Sequence, residues 1–111
     1  ITRGLNLING SVESINKKFD LKVPHMGWNN LNENNFQKME LLKNIPFDSN
    51  FYFIHSYYAI PNEEANFVTT KYGDLEMCAV IEKNEQIFGT QFHPEKSQKT
   101  GMIVFNNFLN L

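Results

Sequence analysis

The sequence is poor in three features that define whole classes of protein: cysteine, charge of one sign, and long apolar runs. Cys78 is the one cysteine among 111 residues, so an internal disulfide is excluded and a reducing, cytoplasmic setting is indicated. The formal net charge is -2 at pH 7, which supplies no basic face for a phosphate backbone. We therefore expect no nucleic-acid partner.

Apolar runs are short throughout the chain. The longest candidates, such as Phe51-Tyr52-Phe53-Ile54, have the length of a strand, whereas a helix that crosses a bilayer needs about 18 or more apolar residues. The chain begins at Ile1 without a basic stretch followed by an apolar one, so no secretory signal is predicted. These absences favour a soluble protein with no membrane partner.

The chain does contain enough apolar and aromatic residues to build a core. At 41% hydrophobic and 14% aromatic, its 111 residues suit one compact domain and are too few for two. No repeat and no long linker divides it, and the apolar pattern is typical of short strands followed by one helix. We therefore expect a single core.

Strand and turn signals alternate along the chain. Residues 5–8 and 11–15 flank the turn signal Asn9-Gly10, which predicts a hairpin or a bent strand pair. The aromatic and β-branched run at residues 51–57 predicts a central strand covered on both faces. Three more strands, separated by hairpin-like turns and hence paired antiparallel, are predicted at residues 66–72, 75–82 and 86–92.

The remaining segments are predicted to be a loop and two helices. Residues 23–29 hold a proline, a glycine and a tryptophan, which favours an ordered surface loop. Residues 36–43 favour a short helix. Ser97 is a candidate N-cap for a last helix that docks on the sheet. The spacing of its apolar residues predicts one buried face made of Ile103, Val104, Phe108, Leu109 and Leu111.

Strands first and a helix last are compatible with an α/β or an α+β architecture. A covered central strand needs neighbours on both sides, and this segment does not obviously supply them. We infer that parallel strands and helices of the same sheet lie upstream of Ile1.

A histidine and a carboxylate stand where the last predicted strand ends. His93 and Glu95 are two residues apart, so on an extended chain they point to the same side, roughly 6–7 Å apart along the strand, and can share a hydrogen bond. Pro94 restricts the backbone between them. A histidine oriented by a carboxylate is the base half of a nucleophile, base and orienter triad. The structural alternative is that His93 ends a strand and Glu95 is a solvated neighbour.

Three motifs carry a family resemblance. Residues 89–97, Gly-Thr-Gln-Phe-His-Pro-Glu-Lys-Ser, closely resemble the His/Glu motif of class I glutamine amidotransferases. Residues 23–29 and 52–57 look like the corresponding motifs in amidotransferase subunits of imidazole glycerol phosphate synthases. The resemblance covers essentially all of residues 1–111 but only the C-terminal half of the family's domain. It implies an α/β, flavodoxin-like fold, with mostly strands and a C-terminal helix in this segment.

The resemblance also implies an activity. Such enzymes use a thiol to hydrolyse the side-chain amide of glutamine, and they pass the ammonia to a synthase partner. For the nearest relatives that partner is a cyclase subunit of (β/α)8 type, in a cytoplasmic heterodimer that serves histidine biosynthesis. No cofactor and no metal is implied.

Residue roles follow from the matched motifs. The resemblance implies that His93 is the general base and acid, with Glu95 as its orienter. It implies that the backbone around Ser56 and Tyr57 holds the amino-acid end of glutamine. It also implies a partner interface near the ammonia passage at Trp28, Tyr52 and Lys96, for which a buried Trp and a solvated Lys are the alternative.

The nucleophile is where the chain departs from the family pattern. The family's cysteine lies on a tight strand-to-helix turn far upstream of the histidine, beside a glycine-rich oxyanion hole. Cys78 instead lies inside a predicted strand fifteen positions before His93, with no such turn, so we interpret it as an inert core thiol. The chain alone should not hydrolyse glutamine, because a base without a nucleophile forms no thioester. We favour a fragment of a longer enzyme.

Three other functions compete with this interpretation. Metal binding by His25, His55 and His93 is disfavoured because none of them is paired at a short ligand spacing. A non-catalytic module that folds onto a partner is compatible with the missing nucleophile, but it does not need His93 and Glu95. A related amidotransferase that supplies ammonia for amidation of a surface-polysaccharide sugar stays open, since the partner chooses the acceptor.

Overall fold

The computed structural model describes residues 2–15, 20–62 and 65–111. Within them, three 3-10 turns lie at Phe36–Lys38, Glu40–Leu42 and Pro94–Lys96. The strands and the α-helix are β1 (Gly10–Ser14), β2 (His25–Asn30), β3 (Asn50–His55), β4 (Tyr57–Pro61), β5 (Asn66–Tyr72), β6 (Leu75–Lys83), β7 (Ile87–Thr90) and α1 (Gln98–Leu109).

The three strands β5, β6 and β7 form one antiparallel sheet in that order, as the sequence predicts. Turns with positive φ join them: Gly73 has φ 61°, and Asn84 and Glu85 each have φ 55°. Glycine and asparagine adopt this left-handed conformation most readily, which explains why the turn signals were recognisable. The middle strand β6 is the most buried of the three, with Val80 fully enclosed.

The predicted hairpin at Asn9-Gly10 is wrong. Strand β1 starts at Gly10 itself and pairs antiparallel with the distant β4, from Gly10 opposite Pro61 to Ser14 opposite Tyr57. Residues 5–8 form no strand. A Cβ on Gly10 would lie 2.4 Å from the carbonyl oxygen of Ile60, so this glycine permits close approach of two strands rather than a turn.

The predicted loop at residues 23–29 is also wrong over most of its length, because His25–Asn30 is strand β2. It pairs antiparallel with β3, with His25 opposite His55 and Trp28 opposite Tyr52. Gly27 keeps a φ of 129° within the strand, a conformation open to glycine and closed to most other residues. The glycine that suggested a loop is therefore an irregularity inside a strand.

Strand β3 is buried on one face rather than on both. Phe51 and Phe53 are fully enclosed, whereas the alternate residues Tyr52 and Ile54 are only partly buried. One edge of β3 pairs with β2. On the other edge, Tyr52 bonds through its backbone N–H and C=O to the segment that carries His93.

The short helix predicted at residues 36–43 is divided into two 3-10 turns. Met39 stands between them in an extended conformation, with φ -86° and ψ 126°, which interrupts helical hydrogen bonding. The buried carboxylate of Glu82 on β6 accepts from the backbone N–H groups of Glu40 and Leu41 at 3.0 and 2.9 Å. The Glu82 side chain thereby provides acceptors for two N–H groups at the start of the second turn.

Helix α1 docks as predicted, but through a narrower face. Val104 is buried in the main core and Ile103 packs against it, whereas Phe108 and Leu109 are 53% and 76% exposed. Leu111 lies beyond the helix and is also exposed. Apolar spacing therefore located the helix, although only part of the predicted face is buried in this structure.

The main core joins the helix, the 3-10 turns and the strands. An aromatic trio lies at its centre, with ring centroids 4.4 Å apart for Phe51 and Phe92 and 5.9 Å apart for Phe53 and Phe92. Phe92 directly precedes His93, so packing of this core fixes where the histidine leaves the sheet. Over residues 2–15, 20–62 and 65–111, no helix is long and apolar enough to span a bilayer.

Candidate active site

His93 and Glu95 are in direct contact, as the sequence predicts. Nδ1 of His93 lies 2.9 Å from Oε2 of Glu95. The geometry differs from the prediction, however, because β7 ends at Thr90 and Glu95 lies in the 3-10 turn Pro94–Lys96. The side chains are 38% and 54% exposed, so the pair is open to a substrate.

The hydrogen bond determines which nitrogen of His93 is free. An ionised carboxylate only accepts, so the Nδ1–H group of His93 donates a hydrogen bond to Glu95. In the neutral ring, Nε2 then keeps a lone pair. The hydrogen bond from His93 is the largest cause that lowers the pKa of Glu95, which keeps this carboxylate ionised. This state lets Nε2 accept a proton while Glu95 stabilises the resulting imidazolium.

Backbone contacts hold His93 against the edge of β3. Its N–H donates to the carbonyl of Tyr52 at 2.9 Å. Its carbonyl accepts from the hydroxyl of Ser97 at 2.8 Å and from the N–H of Lys96 at 3.0 Å. The backbone of His93 is therefore held by hydrogen bonds on both sides of its Cα.

Ser97 performs a different task from the predicted one. Its side chain makes no capping bond to α1. Oγ instead accepts from the backbone N–H of Tyr52 at 2.9 Å and donates to the carbonyl of His93, in a site where Ser97 is 1% exposed. The hydroxyl joins the turn that carries His93 to β3, which a sequence pattern of helix capping could not indicate.

Gly101 lets α1 pack directly on the same turn. A Cβ at this position would lie 1.8 Å from the carbonyl oxygen of Pro94. No side chain fits in that space, so the first turn of α1 packs directly on the backbone of Pro94, between His93 and Glu95.

Ser56 and Tyr57 lie at the junction of β3 and β4. The Ser56 carbonyl accepts from the N–H of Ile15 at 3.0 Å, and the Tyr57 carbonyl accepts from Nδ1 of His55 at 2.9 Å. Burial is the largest cause that lowers the pKa of His55, the residue directly before Ser56, and the nearby His93 lowers it further. The β3–β4 junction and His93 are therefore in the same region of the molecule.

Two histidines that the sequence placed 30 positions apart are in contact. Nδ1 of His25 lies 2.9 Å from Nε2 of His55. Burial, followed by the nearby His55, lowers the pKa of His25 to about 4, and burial is also the largest cause that lowers the pKa of His55. Only the cross-strand register of β2 and β3 brings them together, so no local signal could have found this pair.

The three residues predicted at a partner interface lie near one another. Trp28 and Tyr52 form a cross-strand pair, edge to face, with ring centroids 5.6 Å apart, and Trp28 is 49% exposed. Lys96 is exposed one residue beyond Glu95, in the turn that bonds to the backbone of Tyr52 through His93. The alternative of a buried Trp28 is wrong.

Cys78 has the properties of a structural thiol. It is buried in β6, and burial raises its pKa to about 11, so the thiol is protonated near neutral pH. Sγ lies 3.8 Å from the carbonyl oxygen of Val80 on the same strand. Among the residues that the structure describes, no group of three or more His, Cys, Asp or Glu side chains converges as metal ligands would.

The sequence matches the family model of class I glutamine amidotransferases over residues 6–111. The match spans nearly the whole chain, including the His93 and Glu95 turn. The chain therefore belongs to the class I glutamine amidotransferase family. Its strands and its C-terminal helix are compatible with the α/β, flavodoxin-like fold expected from the resemblance.

Within that family the chain is similar to subunits named for one synthase. It is 43% identical to imidazole glycerol phosphate synthase subunit HisH of Pelagibacter ubique, over 99% of this chain and 52% of the relative. It is 41% identical to the subunits of the same name from Methanosarcina mazei, over 100% and 54%, and from Chlorobaculum tepidum, over 96% and 51%. The chain thus spans about half the length of these relatives.

Proposed function

We propose that this chain is the base-bearing part of a glutamine amidotransferase that serves imidazole glycerol phosphate synthesis. The observation that carries the proposal is the contact of 2.9 Å between His93 Nδ1 and Glu95 Oε2, which leaves Nε2 free on an exposed ring. The names of the similar subunits favour this pathway over amidation of a surface-polysaccharide sugar.

The chemistry assigned to the two residues is proton transfer. In the complete enzyme, Nε2 of His93 would take the proton of a cysteine thiol, and the thiolate would attack the amide carbon of glutamine. The imidazolium would then protonate the departing ammonia, and the neutral ring would activate the water that hydrolyses the thioester. Glu95 would hold the tautomer and stabilise the positive ring through both steps.

Substrate and partner sites complete the proposal. The backbone at Ser56 and Tyr57 would hold the amino-acid end of glutamine. Trp28, Tyr52 and Lys96 would contact a cyclase subunit of (β/α)8 type in a cytoplasmic heterodimer, near the passage of ammonia. The exposed Trp28, which packs on the partly buried Tyr52 near the exposed Lys96, is a suitable anchor for such an interface.

The experiment compares glutaminase activity of this chain with that of an extended protein. We define the extended protein as this chain preceded by the nucleophile-bearing half that the family resemblance implies. Each is measured with and without the cyclase partner. We expect glutamate release from the extended protein alone or with partner, none from this chain, and loss of activity in the extended His93→Ala variant.

A matched control addresses the nucleophile. Cys78→Ala in the extended protein should leave the turnover number unchanged, because the Cys78 thiol is buried and protonated. Two results would contradict the assigned chemistry: glutaminase activity of the short chain by itself, or loss of the extended protein's activity in the Cys78→Ala variant.

A further inference from the structure

Three side chains on β2 and β3 form a hydrogen-bonded series that ends on the β3–β4 junction. The amide nitrogen of Asn29 lies 3.4 Å from Nε2 of His25, the longest contact of the series. His25 Nδ1 lies 2.9 Å from His55 Nε2, and His55 Nδ1 lies 2.9 Å from the carbonyl oxygen of Tyr57. We call these three residues the histidine relay.

The groups at the two ends of the relay determine which atom donates in each of its hydrogen bonds. A carbonyl only accepts, so Nδ1 of His55 must donate to Tyr57. Neutral His55 then accepts at Nε2, which requires His25 to donate from Nδ1. Neutral His25 in turn accepts at Nε2 from the amide of Asn29. Both rings are therefore the Nδ1–H tautomer.

The starting end of the relay is fixed by the neighbouring backbone. The Asn29 amide nitrogen donates to the carbonyl of Lys71 at 2.7 Å, and its oxygen accepts from the N–H of Asn30 at 2.9 Å. These two bonds determine which way the amide faces. The relay thus links the backbone of β5 to the backbone at Tyr57.

Packing holds the middle of the relay in place. The ring of His25 is 4% exposed and lies between two aromatic rings, with centroids 4.4 Å from Tyr72 and 5.0 Å from Phe53. A side chain confined in this way loses little further freedom when it donates a hydrogen bond. His25 is accordingly a rigid support for His55.

A neutral His55 also suits the neighbouring base. His93 acts electrostatically on His55, so a second positive ring there would oppose formation of the His93 imidazolium. Donation from His25 occupies the nitrogen at which His55 would take a proton. The relay keeps that nitrogen engaged.

We propose that the histidine relay of Asn29, His25 and His55 fixes the Tyr57 carbonyl and thereby shapes the backbone that binds glutamine. This assignment rests on the proposed function. It makes His25 and His55 positioning residues: they act through the Ser56–Tyr57 backbone and do not exchange protons with the substrate. Their loss should weaken glutamine binding more than it slows the chemical steps.

The test measures KM and kcat for glutamine in the extended protein bound to its cyclase partner. His55→Ala should raise KM about tenfold, the change that one lost hydrogen bond supplies, while kcat changes less. His55→Asn should restore most of the affinity, because its amide nitrogen can donate from nearly the position of Nδ1. His25→Phe keeps the ring stack but removes the donor, so its KM should also rise.

A matched control separates positioning from general stability. Thr70 is 1% exposed on β5, and its hydroxyl donates to the carbonyl of Asn30 at 2.7 Å, next to the relay but outside it. Thr70→Val should therefore lower the unfolding midpoint without raising KM. Tautomers are read independently from long-range ¹H–¹⁵N spectra of the unsubstituted extended protein, with both rings expected as Nδ1–H.

The outcomes distinguish the two proposals. If the unsubstituted extended protein releases no glutamate from glutamine, the proposed function fails and the relay's role fails with it. If it is active and His55→Ala leaves KM within about twofold, or if His55 is found as the Nε2–H tautomer, the relay proposal alone is overturned.

Discussion

At the scale of single residues, several polar side chains hold two parts of the backbone in place: the turn that carries His93 and the β3–β4 junction. Ser97 joins the backbone of His93 to β3, and Glu95 orients the His93 ring. His25 is buried and stacked, yet it carries a group that titrates near neutral pH in an unfolded chain. The position of His93 therefore depends on a few hydrogen bonds, whereas the pH dependence of stability is expected to follow from the burial of His25.

Ser97→Ala should displace the turn that carries His93 and Glu95. The substitution removes the acceptor of the Tyr52 N–H and a donor to the His93 carbonyl, at a cost of about 1–3 kcal/mol for the buried group left unpaired. We expect a lower unfolding midpoint and a fall in kcat of the extended protein. Thr70→Val, which removes another buried hydroxyl, should lower stability alone; equal losses of kcat in both variants would contradict the role given to Ser97.

His25 should make the fold sensitive to mild acid. The pKa of His25 is about 4 in the folded chain and 6.5 for an unperturbed histidine, the value taken for the unfolded chain. Between these pH values, His25 is therefore protonated in the unfolded chain and neutral in the folded one. Stability should therefore fall as pH decreases from about 6.5 to 4, by on the order of 1–3 kcal/mol after solvent screening. Urea unfolding across this range measures the slope. His25→Phe should flatten it, and an unchanged slope would assign the acid sensitivity to other groups.

At the scale of elements, the site is built by four segments that pack closely against one another. Strand β3 receives β2 on one side and the His93 turn on the other, while the first turn of α1 lies behind Pro94. Each contact is close and uses backbone atoms. The elements therefore have little freedom to shift without moving the histidine.

Gly101→Ala tests the contact of α1 with the turn. An added methyl would overlap the Pro94 carbonyl, whose oxygen is 1.8 Å from the ideal Cβ, so helix or turn must move. Although alanine favours a helix over glycine by up to about 1 kcal/mol, we expect net destabilisation and a large loss of kcat in the extended protein. Gly4→Ala is the control, since nothing lies within 4 Å of its Cβ position. Stabilisation by Gly101→Ala would show that the contact is looser than described.

At the scale of the whole molecule, apolar side chains remain exposed over several elements. Among the largest exposed fractions are those of Leu5, Val12 and Leu109, at 88%, 66% and 76%. Phe105 and Phe108 on α1 are also exposed, beside the partly open apolar cavity between α1 and β7. The chain spans about half the length of the relatives it matches. These exposed apolar side chains are therefore suited to burial in the extended protein.

The extended protein should therefore be the more stable of the two. Each large side chain that it covers contributes roughly 1.5–3 kcal/mol when fully buried. We expect a higher urea midpoint and a larger m-value than for this chain, because m grows with the surface buried. Midpoints that agree within error would mean that the added half folds without packing on this surface.

Several local features were predictable because the signals were local. The β5–β6–β7 sheet followed from turn residues and alternating apolar patches, and the contact of His93 with Glu95 followed from their spacing around Pro94. The family followed from the same short motif and is confirmed by the match over residues 6–111. Such features depend on neighbours only a few residues away.

The predictions that were wrong concern residues whose structure depends on contacts with distant parts of the chain. Gly10 and Gly27 are typical turn residues, but pairing with β4 and with β3 placed them inside strands. Ser97 matched a helix cap locally, yet its hydroxyl accepts from the Tyr52 N–H of β3 and donates to the His93 carbonyl instead.

The sequence by itself thus determined the family, the contact of His93 with Glu95 and the local hairpins, since those depend on short stretches of chain. Only the tertiary structure decided the Ser97 link, the place of Gly101 against Pro94, and the contact of His25 with His55. These arise from the register of strands that are 20 or more residues apart along the chain and from helix packing. Such contacts are selected by the burial of the whole core, a quantity that no short segment specifies.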